Sequence, residues 1–461
     1  MPDTFLESHR VGPLQFTISS PLSPISIRDQ MVRAKMFVDR AIEANILGPA
    51  RLLFVLGAGA GGVSAALYAV TRGIETTLIE LRSHAFGLQR KCLSRWINPT
   101  QYDWPASHWN LQRFPWTPPA MPLPWQSQRA NLVAAVWDHE LLKARKNNPH
   151  LHVKFSTQIV SRTLGPQQDL EVKYQEKWDS PPPLPQPKTE YFGAALYARG
   201  HGSEASDCSV DYKGFDFWET ENFELPNLGL PASPSLRHVL ICGGGDGALQ
   251  DFLRITTGQR SAANIVQQLS LPGDLLAETY RDEDQAHRAS LWNNKIQNHW
   301  VFERRDMAQR RLVSGLLASP RGALIAQQVQ TLLNHSSSLD VTLVHPCSHF
   351  SQSYPLNRFL VRLIEQCAVF LPIQILPNTV LHKVQGVLPH VCARNPVGCH
   401  GQDHEVDFGA GPTCLESSAK TVHGGYFHVI VVRVGVVPPP PFDVLTNPLF
   451  SRHSLPFHPA S

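Results

Sequence analysis

The run Gly57-Ala58-Gly59-Ala60-Gly61-Gly62 decides the fold of the N-terminal half of this chain. An apolar stretch, Arg51–Leu56, precedes the run. A helix of small residues, Ser64–Arg72, follows it and leads to a β-branched segment, Glu75–Leu81. This order predicts a strand, a glycine turn, a helix and a second strand.

Three glycines of the run stand where a side chain would interfere with such a turn. Gly57 permits the tight bend, Gly59 lets the backbone approach a pyrophosphate, and Gly62 lets the helix pack on the strand. The N-terminus of the helix presents N–H groups and the positive end of its dipole to phosphates. Glu80 stands 23 positions after Gly57, where a carboxylate can accept both ribose hydroxyls. The spacing therefore predicts a dinucleotide-binding βαβ unit, and the alternative is a glycine-rich turn without a ligand.

A carboxylate at this position favours a ribose without a 2′-phosphate. FAD or NAD therefore fits the first site better than NADP does. The predicted cofactor-binding residues of this site are Gly57, Ala58, Gly59, Gly61, Gly62, Glu80, Leu81 and Arg82.

A second glycine loop follows the apolar segment His238–Cys242, and its predicted cofactor-binding residues are Gly243, Gly245, Asp246 and Ala248. Its second strand is predicted at Val341–Val344, after an Arg- and Gln-rich helical stretch at 261–335. That strand leads into His345 and offers no acidic ribose ligand. Two interpretations stay open: a working nucleotide site, or a Rossmann-shaped domain that has lost its ligand. The loop is also similar to the Gly-Gly-Gly-Asp-Gly loop of aminopropyl transferases, but the acidic second strand of that family does not follow.

Composition fits an ordinary globular chain. The 461 residues are 42% hydrophobic and 17% charged, with a formal net charge of +3, which does not favour nucleic acid as a partner. We see no signal peptide and no apolar run long enough to span a membrane, so a cytoplasmic location is predicted. None of the eight cysteines forms a C-x-x-C pair, and Cys392 and Cys399 lack a second ligand pair, so no metal site is predicted.

We predict an α/β fold with two Rossmann-like βαβ domains, the second carrying a large helical insertion. The predicted divisions are an N-terminal helical extension at 1–50, an FAD-type domain at 51–235 and an NAD(P)-type domain at 236–461, with the insertion at about 261–335. The basic residues Arg304, Arg305, Arg310 and Arg311 within the insertion indicate a solvated helix face or a contact with a phosphate or a protein partner.

The order of these pieces resembles the two-dinucleotide-binding-domain flavoproteins, which include thioredoxin-reductase-like enzymes and flavin-containing monooxygenases. Leu196–Gly200 is similar to the family's Ala-Thr-Gly crossover, and Val239–Ala248 to its nicotinamide loop. Val341–His345 looks like the second strand of that domain, and Val429–Gly435 like its returning strand. The resemblance implies an oxidoreductase with FAD at the first loop, NAD(P) at the second, and Gly200 among the cofactor-binding residues.

The chain departs from that family at three places. It lacks the redox C-x-x-C, it has His345-Pro346-Cys347 where the family binds the NADP 2′-phosphate with His-Arg-Arg, and it has no match to the late Gly-Asp that contacts the ribityl chain. The aromatic stretch Tyr102-Asp103-Trp104-Pro105 looks like the segment lining the flavin in monooxygenases, although such a segment also packs well as a cover. A monooxygenase-like enzyme acting on a small molecule is therefore favoured over a disulfide reductase.

Two other functions stay open, a catalytically silent dinucleotide-binding sensor or assembly subunit and, more weakly, a nucleoside-cofactor transferase. A protein partner would bind through the 261–335 insertion. No side-chain acid or base can be identified as catalytic.

Overall fold

The computed structural model describes residues 3–19, 26–104, 109–111, 113–114, 121–176, 186–200, 202–204, 207–209, 212–229, 237–273, 299–350, 353–368, 371–386, 404–410, 423–434 and 436–437. These residues form two compact units. The first contains the described residues of 1–92 and 112–203, and the second those of 93–111 and 204–437.

The first unit is built on a six-stranded sheet with the strand order β1-β2-β9-β3-β4-β5. Its neighbouring strands are parallel except for β1 and β2, which form an antiparallel pair. The strands are β1 (Arg10–Gly12), β2 (Gln15–Thr17), β3 (Leu53–Leu56), β4 (Thr76–Ile79), β5 (Leu151–Lys154) and β9 (Ala194–Tyr197).

A second, antiparallel sheet covers one face of this parallel sheet. Its strands are β6 (Thr157–Leu164), β7 (Leu170–Glu176) and β8 (Lys188–Phe192). Alternate residues of the parallel strands face it, and Phe54 and Tyr197 pack in one buried cluster with Val172 and Phe192. The helices of the first unit are α1 (Thr4–His9), α2 (Ile27–Glu43), α3 (Ala60–Thr71), α4 (Gly87–Lys91) and α5 (Ala130–Asn147).

Local sequence explains where α2 begins. Ser26 and Asp29 form a reciprocal capping box, in which each side chain accepts the main-chain N–H of the other. The helix then packs along α3. The N-terminal segment is thus an integral part of the first unit rather than a separate helical extension, because β2 also adds a parallel strand beside β9.

The second unit repeats this plan. Its sheet has the order β12-β11-β10-β16 with every neighbouring pair parallel, and an antiparallel sheet of β13, β14 and β15 follows β12 in the chain. The strands are β10 (Arg237–Cys242), β11 (Leu339–Val344), β12 (Ile373–Leu376), β13 (Thr379–Gly386), β14 (His404–Ala410), β15 (His423–Phe427) and β16 (Val429–Val432). In both units the returning strand follows three antiparallel strands and pairs with the strand that enters the glycine loop.

Residue alternation separates the two faces of this second sheet. Leu240 and Ile430 face Phe427 on one side, whereas Val239 and Val431 join the larger cluster formed with the helices. The helices of this unit are α6 (Asp246–Thr257), α7 (Ala262–Gln267), α8 (His299–Ala318), α9 (Gly322–Leu333) and α10 (Pro355–Cys367).

The predicted helical insertion, as far as it is described, belongs to the core of the second unit. Val313 of α8 and Ile325 of α9 are fully buried in the same cluster as the parallel strands. Arg362 of α10, also fully buried, donates to both carboxylate oxygens of Asp306 on α8 at 2.8 and 2.6 Å. A buried bidentate pair of this kind fixes the two helices in one geometry.

The Trp- and Pro-rich segment at 95–125 is divided between the units. Trp104, 2% exposed, stacks on Phe359 of α10 at 5.2 Å between ring centroids. Trp125 instead meets Trp137 of α5 edge-on at 5.3 Å. Trp104 and Trp125 therefore pack within different units, and this segment is divided at positions that the sequence-based boundaries did not contain.

None of the helices in the described ranges is long and apolar enough to cross a membrane.

Several short strands and turns lie between the main elements. The short strands are Trp96–Ile97, Arg113–Phe114, Trp125–Gln126, Gln128–Arg129, Ser203–Glu204, Asp207–Ser209, Tyr212–Lys213 and Val436–Val437, and the 3-10 turns are Gln101–Asp103, Pro226–Gly229 and Asn334–Ser336.

Candidate functional site

The first glycine loop leaves β3 at its carboxyl end in a backbone conformation that requires glycine. Gly57 has φ +103°, and a Cβ added there would lie 2.5 Å from the carbonyl oxygen of Ala198. Its N–H donates to the carbonyl oxygen of Ile79 at 2.8 Å, which ties the turn to β4. The bend at Gly57 therefore depends on both neighbouring strands.

Gly59, Gly61 and Gly62, which follow in the loop, differ in how much space lies where a side chain would be. A Cβ added at Gly62 would overlap the carbonyl oxygen of Gly57, so the first turn of α3 lies directly on the loop. A Cβ added at Gly61 would come within 2.8 Å of the Ile18 side chain. At Gly59, the N-cap of α3, an added Cβ would meet nothing within 4 Å, and no side chain caps the helix. Among the described residues, the start of α3 thus has no side-chain cap and leaves space where a side chain at Gly59 would lie, so its N–H groups remain available to a pyrophosphate.

The carboxylate of Glu80 lies beside this loop. Its Oε2 accepts the N–H of Ala58 at 2.8 Å and its Oε1 accepts the N–H of Arg82 at 2.9 Å. A carboxylate offers about four lone-pair sites, so capacity remains for ribose hydroxyls. Leu81, at the same strand end, is 50% exposed. The two main-chain bonds hold the Glu80 carboxylate beside the glycine loop.

Gly200 follows β9 on the other side of the loop. The N–H of Ala198 donates to the carbonyl oxygen of Leu56 at 2.8 Å, and Gly200 has φ +77° with open space where a Cβ would lie. The first unit therefore brings Gly57, Gly59, Glu80 and Gly200 to one edge of one sheet. An open turn beside an oriented carboxylate fits the pyrophosphate and adenosine ribose of a dinucleotide such as FAD.

The second glycine loop has the same backbone design. Gly243 has φ +137°, its N–H donates to the carbonyl oxygen of Val344 at 2.9 Å, and an added Cβ would overlap the carbonyl oxygen of Arg433. Ala248 is fully buried against this turn, and Gly245 is the N-cap of α6. Gly243 and Arg433 thus occupy the positions that Gly57 and Ala198 hold in the first unit.

Asp246 is occupied by protein contacts. One of its oxygens accepts the N–H of Tyr354 at 3.2 Å and the side-chain amide of Asn357, and the other accepts the side-chain amide of Gln250. Burial raises the pKa of Asp246 to about 6, against the effect of these donors. Asp246 therefore holds the start of α10 against α6, and its carboxyl group is engaged within the protein.

His345 occupies the position in the second unit that Glu80 occupies in the first, directly after the second parallel strand. It is 1% exposed and lies 4.8 Å from Phe350 between ring centroids. Neither ring nitrogen has a hydrogen-bond partner among the described residues. Burial, followed by the charge of Arg362, lowers its pKa to about 4, so the imidazole is neutral at neutral pH. The described end of β11 thus presents no carboxylate to a ribose.

Sequence reasoning missed a buried ionic cluster beneath this second loop. Asp251 of α6 is fully buried, with Oδ1 2.7 Å from Nη1 of Arg95 and Oδ2 2.8 Å from Nε of Arg433. Arg254 lies 3.8 Å from the same carboxylate and 2.6 Å from Glu221. The only sign of this cluster in the sequence is that an acid and a base, Asp251 and Arg254, stand on the apolar face of one helix. Their partners lie far away in the chain, so the sequence does not reveal them.

Some predicted features lie outside the described residues. These are Gly435, the Cys392–Cys399 segment, residues 274–298 of the insertion and Pro105 of the aromatic stretch. Among the described residues, no group of three or more His, Cys, Asp or Glu side chains is arranged to hold a metal ion.

The geometry defines a class: an α/β chain of two Rossmann-like units, each with a glycine loop at the start of a helix, of which the first has an oriented carboxylate beside it and the second has its acidic side chain engaged by the protein. No protein-family model and no curated protein sequence matches the chain. Among solved structures, it is similar to a cadaverine monooxygenase from Erwinia amylovora bound to FAD (9% identity, 84% of this chain and 79% of that one, TM-score 0.40). It is also similar to the bacillithiol disulfide reductase of Bacillus cereus (10% identity, 84% and 78%, TM-score 0.40) and to the thioredoxin reductase of Lactococcus lactis (10%, 84% and 77%, TM-score 0.35).

Proposed function

We propose that this protein is an FAD-dependent oxidoreductase that uses NAD(P)H and is more monooxygenase-like than disulfide-reductase-like. The observation that carries the proposal is the first glycine loop, where Gly59 leaves open space at a helix N-terminus and Glu80 is oriented beside it. FAD supplies the hydride and electron chemistry when bound, and the protein supplies binding and orientation.

Each part of the loop has a distinct role in this proposal. The N–H groups of the first turn of α3 bind the pyrophosphate, since an uncapped helix start favours negative charge. Glu80 binds the adenosine ribose, and its two main-chain bonds keep the carboxylate from turning away. Gly200 leaves space beside the loop for the remainder of the cofactor.

The preference for monooxygenase-like chemistry rests on the cysteines. The sequence contains eight cysteines and no C-x-x-C pair. A dithiol relay to a disulfide substrate requires two neighbouring thiols. The use of NAD(P)H rests on the repetition of the glycine-loop plan in the second unit.

A specific observation favours a second candidate, a dinucleotide-binding sensor or assembly subunit without turnover. Asp246 is held by Tyr354 and Asn357, and His345 is buried where an acid would bind the second ribose. A second unit of this kind serves as a scaffold, and the first unit alone binds a dinucleotide.

An absorbance spectrum of the purified protein, before and after reconstitution with FAD, tests both candidates. The enzyme is expected to show a flavin band near ~450 nm that NADH or NADPH bleaches under anaerobic conditions. A flavin band that neither nicotinamide bleaches supports the sensor. A protein that stays colourless after incubation with FAD overturns the FAD-dependent enzyme, and it leaves the sensor only with a colourless dinucleotide such as NAD, whose binding a calorimetric titration then tests. If bleaching occurs, oxygen consumption without reduction of an added disulfide supports the monooxygenase-like assignment.

A further inference from the structure

Two arginines, Arg199 and Arg162, lie near the end of β9, the strand that passes the open glycine loop of the first unit. Arg199 is the second residue after β9, and Arg162 lies on β6 of the antiparallel sheet. The guanidinium carbon of Arg162 is 5.1 Å from the ring centroid of Tyr197, the last residue of β9. Tyr197 packs with the antiparallel sheet, so Arg199, two residues further on, continues the same face.

Both arginines belong to the surroundings of Tyr197, Arg162 through its contact with the ring and Arg199 through its place two residues further along the chain. Burial and then the positive charge of Arg162 lower the pKa of Arg199. The Tyr197 phenol, whose pKa is raised by burial, donates its hydroxyl proton to Gln15 at 2.7 Å and is neutral. Two like charges held together favour an anion that can contact both.

The main chain of Arg199 borders the loop itself. A Cβ added at Gly57 would lie 3.4 Å from the Cα of Arg199, and one added at Gly62 would lie 3.1 Å from the Cβ of Ala198. The main chain of Arg199 therefore passes directly beside the turn at Gly57, and its side chain starts from there. The loop itself supplies only N–H groups and a helix dipole, and these neutralise two phosphate charges incompletely.

We propose that Arg199, supported by Arg162, binds the pyrophosphate of the dinucleotide held by the Gly57–Gly62 loop. The inference rests on the proposed function and names residues that the glycine and acid spacing did not identify. An arginine suits this role because its planar donors form charge-assisted, bidentate bonds to phosphate. This arginine distinguishes the first unit from the second, where the residue in the position of Arg199 is Val434, 60% exposed.

The test measures binding of FAD and ADP, with adenosine as the phosphate-free probe, to wild type and to the variants Arg199→Gln and Arg162→Gln. The control is Arg145→Gln, an exposed arginine in the last turn of α5 whose guanidinium carbon lies 5.8 Å from the ring centroid of Phe155. Loss of a charge-assisted contact should weaken FAD and ADP roughly tenfold or more in Arg199→Gln. The adenosine affinity of Arg199→Gln should stay unchanged, and so should the FAD and ADP affinities of the control variant. The salt dependence of ADP binding to Arg199→Gln should become shallower.

Failure of the inference and failure of the proposed function are distinguishable. If wild type binds FAD and Arg199→Gln binds FAD and ADP equally well, the arginine contact is wrong while the flavoprotein proposal stands. If the affinity of Arg199→Gln for adenosine falls as much as its affinity for ADP, the arginine does not contact phosphate. If wild type binds neither FAD nor ADP, the proposed function fails. Arg199→Lys keeps the charge if the glutamine variant misfolds, and it should lose less ADP affinity than an Arg199→Ala variant loses.

Discussion

Replacement of Asp251 by alanine should destabilise the second unit strongly. Asp251 is fully buried, and its two oxygens lie 2.7 and 2.8 Å from the guanidinium nitrogens of Arg95 and Arg433. The arginines are themselves only 3% and 8% exposed, so the change leaves two positive charges buried without their counter-ion. Breaking a buried pair in this way costs about 3–5 kcal/mol.

That free energy corresponds to a measurable thermal shift. For domains of roughly 150–250 residues, about 2–4 °C of Tm is lost per kcal/mol, so the expected decrease is about 6–20 °C. Thermal unfolding followed by circular dichroism, together with a denaturant titration, measures it. Burial acts to raise the pKa of Asp251, but Arg95 and Arg433 outweigh it and hold the pKa below its usual range. The contribution is therefore present at neutral pH and is lost only as the pH falls through that lowered pKa.

Asp138 on α5 provides the matched control. It pairs with Arg90 at 2.7 Å, the same distance as the Arg95 contact, but the two side chains are 28% and 44% exposed. An exposed pair contributes about 0–1 kcal/mol, so Asp138→Ala should shift Tm by a few degrees at most. If Asp251→Ala lowers Tm no more than Asp138→Ala does, burial is not what makes the Asp251 cluster important, and the reasoning fails.

Three further predictions concern the two loops. Gly59→Ala should leave the free protein as stable as wild type but weaken FAD binding. Gly62→Ala should lower Tm, because its added Cβ overlaps the carbonyl oxygen of Gly57 in the loop. Equal stability of the two variants in a melting experiment would contradict this contrast. Glu80→Arg should abolish dinucleotide binding in a calorimetric titration with the fold retained, and the lost main-chain bonds should cost about 1–3 kcal/mol in unfolding free energy; unchanged binding would show that the motif is only architectural. The pKa of His345 is lowered to about 4, so unfolding free energy should fall as pH decreases from about 6.5, where the unfolded state takes up a proton, toward 4. His345→Phe should remove that part of the pH dependence, and a variant with the wild-type pH profile would exclude His345 as its source.

The sequence predicted the parts of the fold that depend on short-range structure. The two glycine loops, their flanking strands and Glu80 were all identified correctly as elements of βαβ units, because backbone sterics and strand alternation act over a few residues. The short strands β1 and β2 were missed, because three-residue segments carry too little periodicity to predict.

Only the tertiary structure decided what the two loops share and where they differ. A carbonyl from a distant strand meets each first glycine, from Ala198 in one unit and Arg433 in the other. The sequence predicts Asp246 as a cofactor-binding residue, but in the structure its carboxylate accepts the main-chain N–H of Tyr354 at the start of α10.

His345 stands where Glu80 stands, yet it is buried beside Phe350. By itself, then, the sequence determined two dinucleotide-type loops. Long-range packing decided that the first is open and that the side chains of the second are committed to protein contacts, because burial and hydrogen-bond partners depend on which distant segments meet.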